Sequence, residues 1–138
     1  MSGETPAGGS RPTILCIDDD RLVLGVCTSV LEAHGYRVVM ATHGQAGIAI
    51  AQKERPDLIL LDIRMPGMDG FEVCKQLRTD PTLRHTPIVL MTAMALPDLE
   101  AKGLEAGATL SIRKPFNPEQ VVSTVEQLLG RPRNPETP

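Results

Sequence analysis

Aromatic residues are nearly missing from this chain: it has no tryptophan, one tyrosine (Tyr36) and two phenylalanines (Phe71 and Phe116) in 138 residues. Its core must therefore be packed from Leu, Ile, Val, Ala and Met. Cysteine is scarce as well. Cys16, Cys27 and Cys74 are odd in number and widely spaced, which excludes a disulfide framework and a CxxC metal site; each reads as a small buried or semi-buried side chain in a reducing compartment. The formal charge is −3 and no basic stripe is present, so direct binding to a run of nucleic-acid phosphates is excluded. No apolar run approaches the roughly 18 residues of a membrane span, and no charged-then-apolar leader opens the chain. These absences lead to the expectation of a cytoplasmic protein without membrane insertion.

What is present suits one globular domain. Hydrophobic residues make up 41% and charged ones 22%, and the length leaves no second hydrophobic block over. Residues 1–12 and 130–138 are rich in Gly, Pro, Ser and Thr or read GRPRNPETP, and both are expected to be flexible tails, the second equally the start of a linker. Residues 13–129 are the expected folded domain. Within it, short apolar runs at Ile14–Ile17, Arg37–Ala41, Leu58–Leu61, Ile88–Met91 and Leu110–Ile112 alternate with helical patterns. Several runs are continuously apolar, as strands covered on both faces of a parallel sheet must be. The helical stretches are Leu22–Leu31 closed by Gly35, Gln45–Lys53, Gly70–Arg78, Pro97–Glu105 and Pro118–Leu129. Five rounds of strand then helix predict an α/β fold: a single five-stranded parallel sheet, doubly wound with five helices. Ligands of such sheets bind beyond the carboxyl ends of the strands.

Four sets of polar groups fall on that edge. The first strand ends in Asp18, Asp19 and Asp20; the third in Asp62, followed by Ile63-Arg64-Met65-Pro66-Gly67-Met68-Asp69-Gly70; the fourth in Thr92-Ala93; the fifth in Lys114-Pro115-Phe116. Singly, each has an ordinary explanation. Three aspartates make a solvated loop or a helix cap, Met-Pro-Gly-Met-Asp-Gly makes a turn with Asp69 as N-cap, and Thr92 and Lys114 are common surface or strand-end residues. Together they have a chemistry. Carboxylates gathered from different strands repel one another unless a cation joins them, and oxygen-only ligands suit Mg²⁺ or Mn²⁺. A nearby hydroxyl and ammonium supply donors for a phosphoryl group. Aspartate accepts such a group as an aspartyl-phosphate, and phosphoryl transfer needs mainly positioning and charge neutralisation.

The strings ILCIDDD, LILLDIRMPGMDG, VLMTA and RKPF, in that order and each after a strand, resemble the receiver domains of two-component response regulators, the CheY-like superfamily. The resemblance runs from about Thr13 to Leu129. It implies a flavodoxin-like sheet of order 2-1-3-4-5 and a signalling module rather than a turnover enzyme, catalysing only its own phosphorylation and dephosphorylation. By this resemblance Asp62 is the phosphoacceptor, charged by a histidine kinase or histidine phosphotransfer protein. Asp19 binds Mg²⁺ directly, Asp18 assists, and the backbone carbonyl of Arg64 is a further ligand. Lys114 pairs with phosphoryl oxygens, Pro115 follows a cis peptide bond, and Thr92 reports the phosphate. Asp20 reads as the cap of the first helix.

Three positions stand out against the family pattern. Ser111 stands where an aromatic residue usually precedes the lysine by three positions, so the expectation is that Thr92, Ala93, Met94 and the fourth helix carry the signal without an aromatic flip. Arg64 and Met94, two positions beyond Asp62 and Thr92, are placed to tune phosphate loss. His34, His43 and His85 lack metal-ligand spacing and read as structural. The resemblance also makes a phosphorylation-dependent dimer an open expectation. With eight residues after Gly130, the chain is expected to act through a downstream protein or to be one receiver of a longer protein. Two alternatives differ in class. A haloacid-dehalogenase-type phosphatase would use Asp18 as nucleophile, but Arg21 follows the aspartates where Thr or Val is needed. A receiver-like interaction module that takes no phosphate would not keep the full set of Asp18, Asp19, Asp62, Thr92 and Lys114.

Overall fold

A computed structural model describes residues 11–93, 98–114 and 117–130. Residues 1–10 of the tail expected at 1–12, residues 131–138 of the one expected at 130–138, and Met94, Pro97, Pro115 and Phe116 with their assigned roles, lie outside the described residues.

Five strands, β1 (Thr13–Ile17), β2 (Arg37–Ala41), β3 (Leu58–Asp62), β4 (Ile88–Thr92) and β5 (Leu110–Arg113), alternate with helices α1 (Arg21–Ala33), α2 (Gly44–Glu54), α3 (Gly70–Arg78), α4 (Leu99–Ala106) and α5 (Pro118–Leu129). The strands form one parallel sheet ordered β2-β1-β3-β4-β5. Every residue of β3 and β4 is buried, which explains why those segments read as unbroken apolar runs rather than alternating ones.

Side-chain alternation splits the core in two. Leu15, Ile17, Ile59, Leu61, Ile88 and Leu90 face α2, α3 and α4. Ile14, Cys16, Leu58, Leu60, Val89 and Met91 face α1 and α5. The chain order reverses at β1, which has β2 on one side and β3 on the other. A crevice opens at that switch point because the connections leave the two strands in opposite directions.

Side-chain caps set most helix starts. Asp20 accepts from the Leu22 N–H at 2.9 Å, Asp69 from Glu72 at 2.9 Å, and Asn117 from Gln120 at 2.8 Å. His43 caps α2 through Nδ1, which accepts from the Ala46 N–H; His34 Nδ1 lies 2.9 Å from the Val30 carbonyl. A short 3₁₀ turn at Pro81–Leu83, capped by Asp80, joins α3 to β4. It was not expected; Asp-Pro was its only signal. The pattern also began α4 at Pro97, whereas the helix runs Leu99–Ala106.

Gly70 holds the crevice in shape. A Cβ there would stand 2.6 Å from both the Asp62 carbonyl oxygen and the Ile63 Cα, backbone atoms that cannot move aside. The Gly70 N–H donates to the Ile63 carbonyl at 2.7 Å, so α3 starts directly against the end of β3. Gly70→Ala is expected to cost about 1–3 kcal/mol as an overpacking change. Urea denaturation would measure it, and an unchanged midpoint would show that the close approach is not obligatory.

Candidate phosphoacceptor and metal site

The sheet register brings the polar strand ends together. Asp62 pairs across β3–β4 with Met91, Thr92 pairs with Arg113, and the Lys114 N–H donates to the Thr92 carbonyl at 2.8 Å. On the other side, the Asp18 N–H donates to Ala41 at 3.1 Å. Asp18 is fully buried, Asp62 is 4% exposed and Thr92 is fully buried. Asp19 is exposed at the rim, as is Ala93. Ser111 lies apart, half-buried in β5 opposite Leu90.

Lys114 is the counter-ion at the centre. Its Nζ lies 2.7 Å from Asp18 Oδ2 and 3.4 Å from Asp62 Oδ1. Burial works against its charge, but the hydrogen bond and charge of Asp18, aided by Asp62, outweigh that cost and raise its pKa. Asp18 Oδ1 accepts from the Asp20 N–H at 2.9 Å. Asp62 Oδ1 accepts a longer bond of 3.4 Å from the Arg64 N–H.

Carboxylate oxygens of Asp18, Asp19 and Asp62 lie within 4.8 Å of one another. Three carboxylates against one ammonium leave two negative charges in excess. The Asp62 pKa records the imbalance: burial and then the Asp18 charge push it up to about 6, against the charge and hydrogen bond of Lys114 and the Arg64 N–H. An all-oxygen set short of two positive charges fits a divalent hard cation. Beside it lies a cleft of about 600 Å³ lined by Asp19, Ile63, Arg64, Met65, Pro66, Asp69 and Phe71. Asp69, read from sequence only as a cap, also lines this cleft.

A family model described as "Response regulator receiver domain" matches residues 14–126. This chain belongs to that family. The match sets aside the haloacid-dehalogenase reading, and it makes the phosphoacceptor role in two-component signalling the role of this receiver domain. Response regulator PleD of Caulobacter vibrioides is 41% identical over 115 residues, covering 83% of this chain and 25% of PleD. Chemotaxis protein CheY4 of Vibrio cholerae is 35% identical with a TM-score of 0.84, over 87% of this receiver and 100% of that chain. The receiver domain of sensor histidine kinase PA1611 from Pseudomonas aeruginosa, with magnesium coordinated in its active-site cleft, is 29% identical with a TM-score of 0.80, over 88% and 99% of the two chains. The receiver spans about half or less of the length of several curated relatives it matches.

No described helix is long and apolar enough to cross a membrane. All three cysteines are free and buried, and Cys16 and Cys27 lie in the same half of the core.

The raised Asp62 pKa has a thermodynamic consequence. A carboxyl whose folded pKa lies above its unfolded value holds protons more tightly in the native state, so stability falls as pH rises from about 4 through about 6. Without divalent metal, Asp62→Asn should remove that slope and stabilise the fold at pH 7 by on the order of 2 kcal/mol. Denaturation between pH 4 and 8 in chelator tests this; equal slopes in the two proteins would refute it.

Proposed function

We propose that Asp62 accepts the phosphoryl group of this receiver domain from a histidine kinase or histidine phosphotransfer protein, and that the modified domain acts through a downstream protein. The observation that carries the reading is the excess negative charge of Asp18, Asp19 and Asp62 around a single ammonium. In it, Asp18, Asp19 and Asp62, with the Arg64 backbone carbonyl, would hold Mg²⁺ or Mn²⁺, which would supply charge neutralisation for phosphoryl transfer.

Asp62 must be ionised to act as a nucleophile. Its oxygen forms a bond to phosphorus while the bond from phosphorus to the donor's imidazole nitrogen breaks, and the electron pair leaves with that nitrogen. Lys114 has three N–H donors, and its contacts with Asp18 and Asp62 leave one for a phosphoryl oxygen. Thr92, one residue beyond the strand partner of Asp62, brings a hydroxyl to the same edge. The guanidinium of Arg64, beside the cleft, bears on the approach of donor or water. With Ser111 unable to fill and vacate an aromatic pocket, the phosphate is read through Thr92, Ala93 and the segment leading to α4.

The test is acetyl phosphate with Mg²⁺ and intact-mass analysis. A gain of about 80 Da is expected for one phosphoryl group, lost in Asp62→Ala and in chelator; a gain that survives Asp62→Ala would sink the assignment. The phospho-protein lifetime should also change several-fold in Arg64→Asn, since charge and bulk beside the attack path alter a barrier in which about 1.4 kcal/mol is tenfold. An unchanged lifetime would remove Arg64 from the chemistry.

A further inference from the structure

Arg78, the last residue of α3, is a half-buried guanidinium without a carboxylate partner among the described residues. Main-chain carbonyls surround it instead. Nε donates to Gly107 at 2.8 Å, and Nη1 reaches Leu83 at 2.8 Å, Arg84 at 3.2 Å and Thr86 at 2.6 Å. Gly107 caps α4; the other three carbonyls end the 3₁₀ turn that leads into β4. Helix α4 has no basic residue in its own last turn, so Arg78 supplies from another helix the positive charge that the carbonyl end of α4 attracts.

The fit is close. Gly107 has φ +96°, and a Cβ on it would lie 2.8 Å from Arg78 Cγ. The Ala108 N–H donates to Gly103 at 2.8 Å, and Thr109 N–H to Ile88 at 2.8 Å. Thr109 Oγ1 accepts from the Ile88 N–H at 3.0 Å. The C-terminal end of α4 and the start of β5 are thus tied to α3 and β4 at the sheet edge opposite Asp62.

The other end of α4 is held differently. Asp98 makes no side-chain cap bond, and the buried residues of the helix are Gly103 and Ala106, both in its second half. Leu99 is only partly buried. The weakly held end is the one that follows the Thr92 strand end.

We propose that Arg78 is the pivot of α4: a positioning residue that pins the helix at Gly107, so that events at the Asp62–Thr92 edge displace its N-terminal end and leave the C-terminal end in place. The proposal rests on the phosphoacceptor reading for its trigger. The pin itself is a property of the resting molecule.

Amide hydrogen exchange on the full chain, with and without beryllofluoride and Mg²⁺ as the phosphoryl mimic, separates the two. In the unmodified chain the mimic should change exchange at 98–103 and leave 104–108 unaltered. Arg78→Met, without mimic, should speed exchange at 104–108 and 83–88 by about tenfold or more, the scale of a lost charged hydrogen bond expressed as local opening. With mimic, its change should then extend through 104–108. Arg78→Lys, which keeps the charge but not the fork of donors, should show the same pattern with smaller amplitude. Unchanged protection at 104–108 in Arg78→Met, or a mimic-induced change already spread over all of α4 in the unmodified chain, would overturn the pivot. So would loosening spread evenly over the whole chain in both variants. If the mimic alters nothing and acetyl phosphate adds no mass, the phosphoacceptor reading fails and the pivot loses its trigger, while the resting comparison still decides the pin.

Discussion

One electrostatic arrangement governs this molecule: Asp18, wholly buried at the end of β1, held by Lys114 at the end of β5, with Asp62 between them. A carboxylate out of water costs several kcal/mol unless it is paired and hydrogen-bonded, and Asp18 is both. Its partner lies 96 residues away in the chain, so the pairing exists only once the sheet has closed in the order β2-β1-β3-β4-β5. The same ammonium is shared with Asp62 at a longer distance and so satisfies neither carboxylate alone. The unmatched negative charge is a property of the folded edge. It makes the edge a fit for a divalent hard cation.

The packing that supports this edge is uneven in a way that matches its work. Strands β3 and β4 are buried on both faces, and Gly70 sets α3 against the backbone of Asp62, so Asp62 stands on a rigid base. Helix α4 departs from that rigour. It is short, small residues make its deepest contacts, and its start has no side-chain cap. An element so lightly packed is of the kind a ligand's differential interactions can shift, whereas β3 is packed into both halves of the core. Arg78 confines this softness to one end of one helix.

Much of this was legible in the sequence, for physical reasons that can be named. Ile59, Leu60 and Leu61 form an apolar run because β3 is covered on both sides, and Val73, Cys74 and Leu77 recur at helical spacing because α3 buries one stripe. Asp18, Asp19, Asp62, Thr92 and Lys114 were visible as polar groups terminating such runs, and Asp20 and Asp69 cap the helices they were expected to cap. The rest depends on tertiary geometry. Nothing in the chain marks Arg78 as the partner of four distant or looped-back carbonyls. The 3₁₀ turn at Pro81–Leu83 carries no periodicity to reveal it. The need for glycine at position 70 comes from the approach of another backbone segment.

Tyr36 lies fully buried just before β2 and donates to the Gly130 carbonyl at 3.1 Å, at the pole of the domain away from the carboxylates. It is also the only tyrosine in a chain without tryptophan. The near-ultraviolet emission of this protein is therefore anchored at the wrong pole to sense metal or phosphate directly. What Tyr36 registers is the seating of the last turn of α5 against the α1–β2 corner. Its fluorescence is a gauge of how the chain leaves the domain, and it stays dark to the chemistry at the other end.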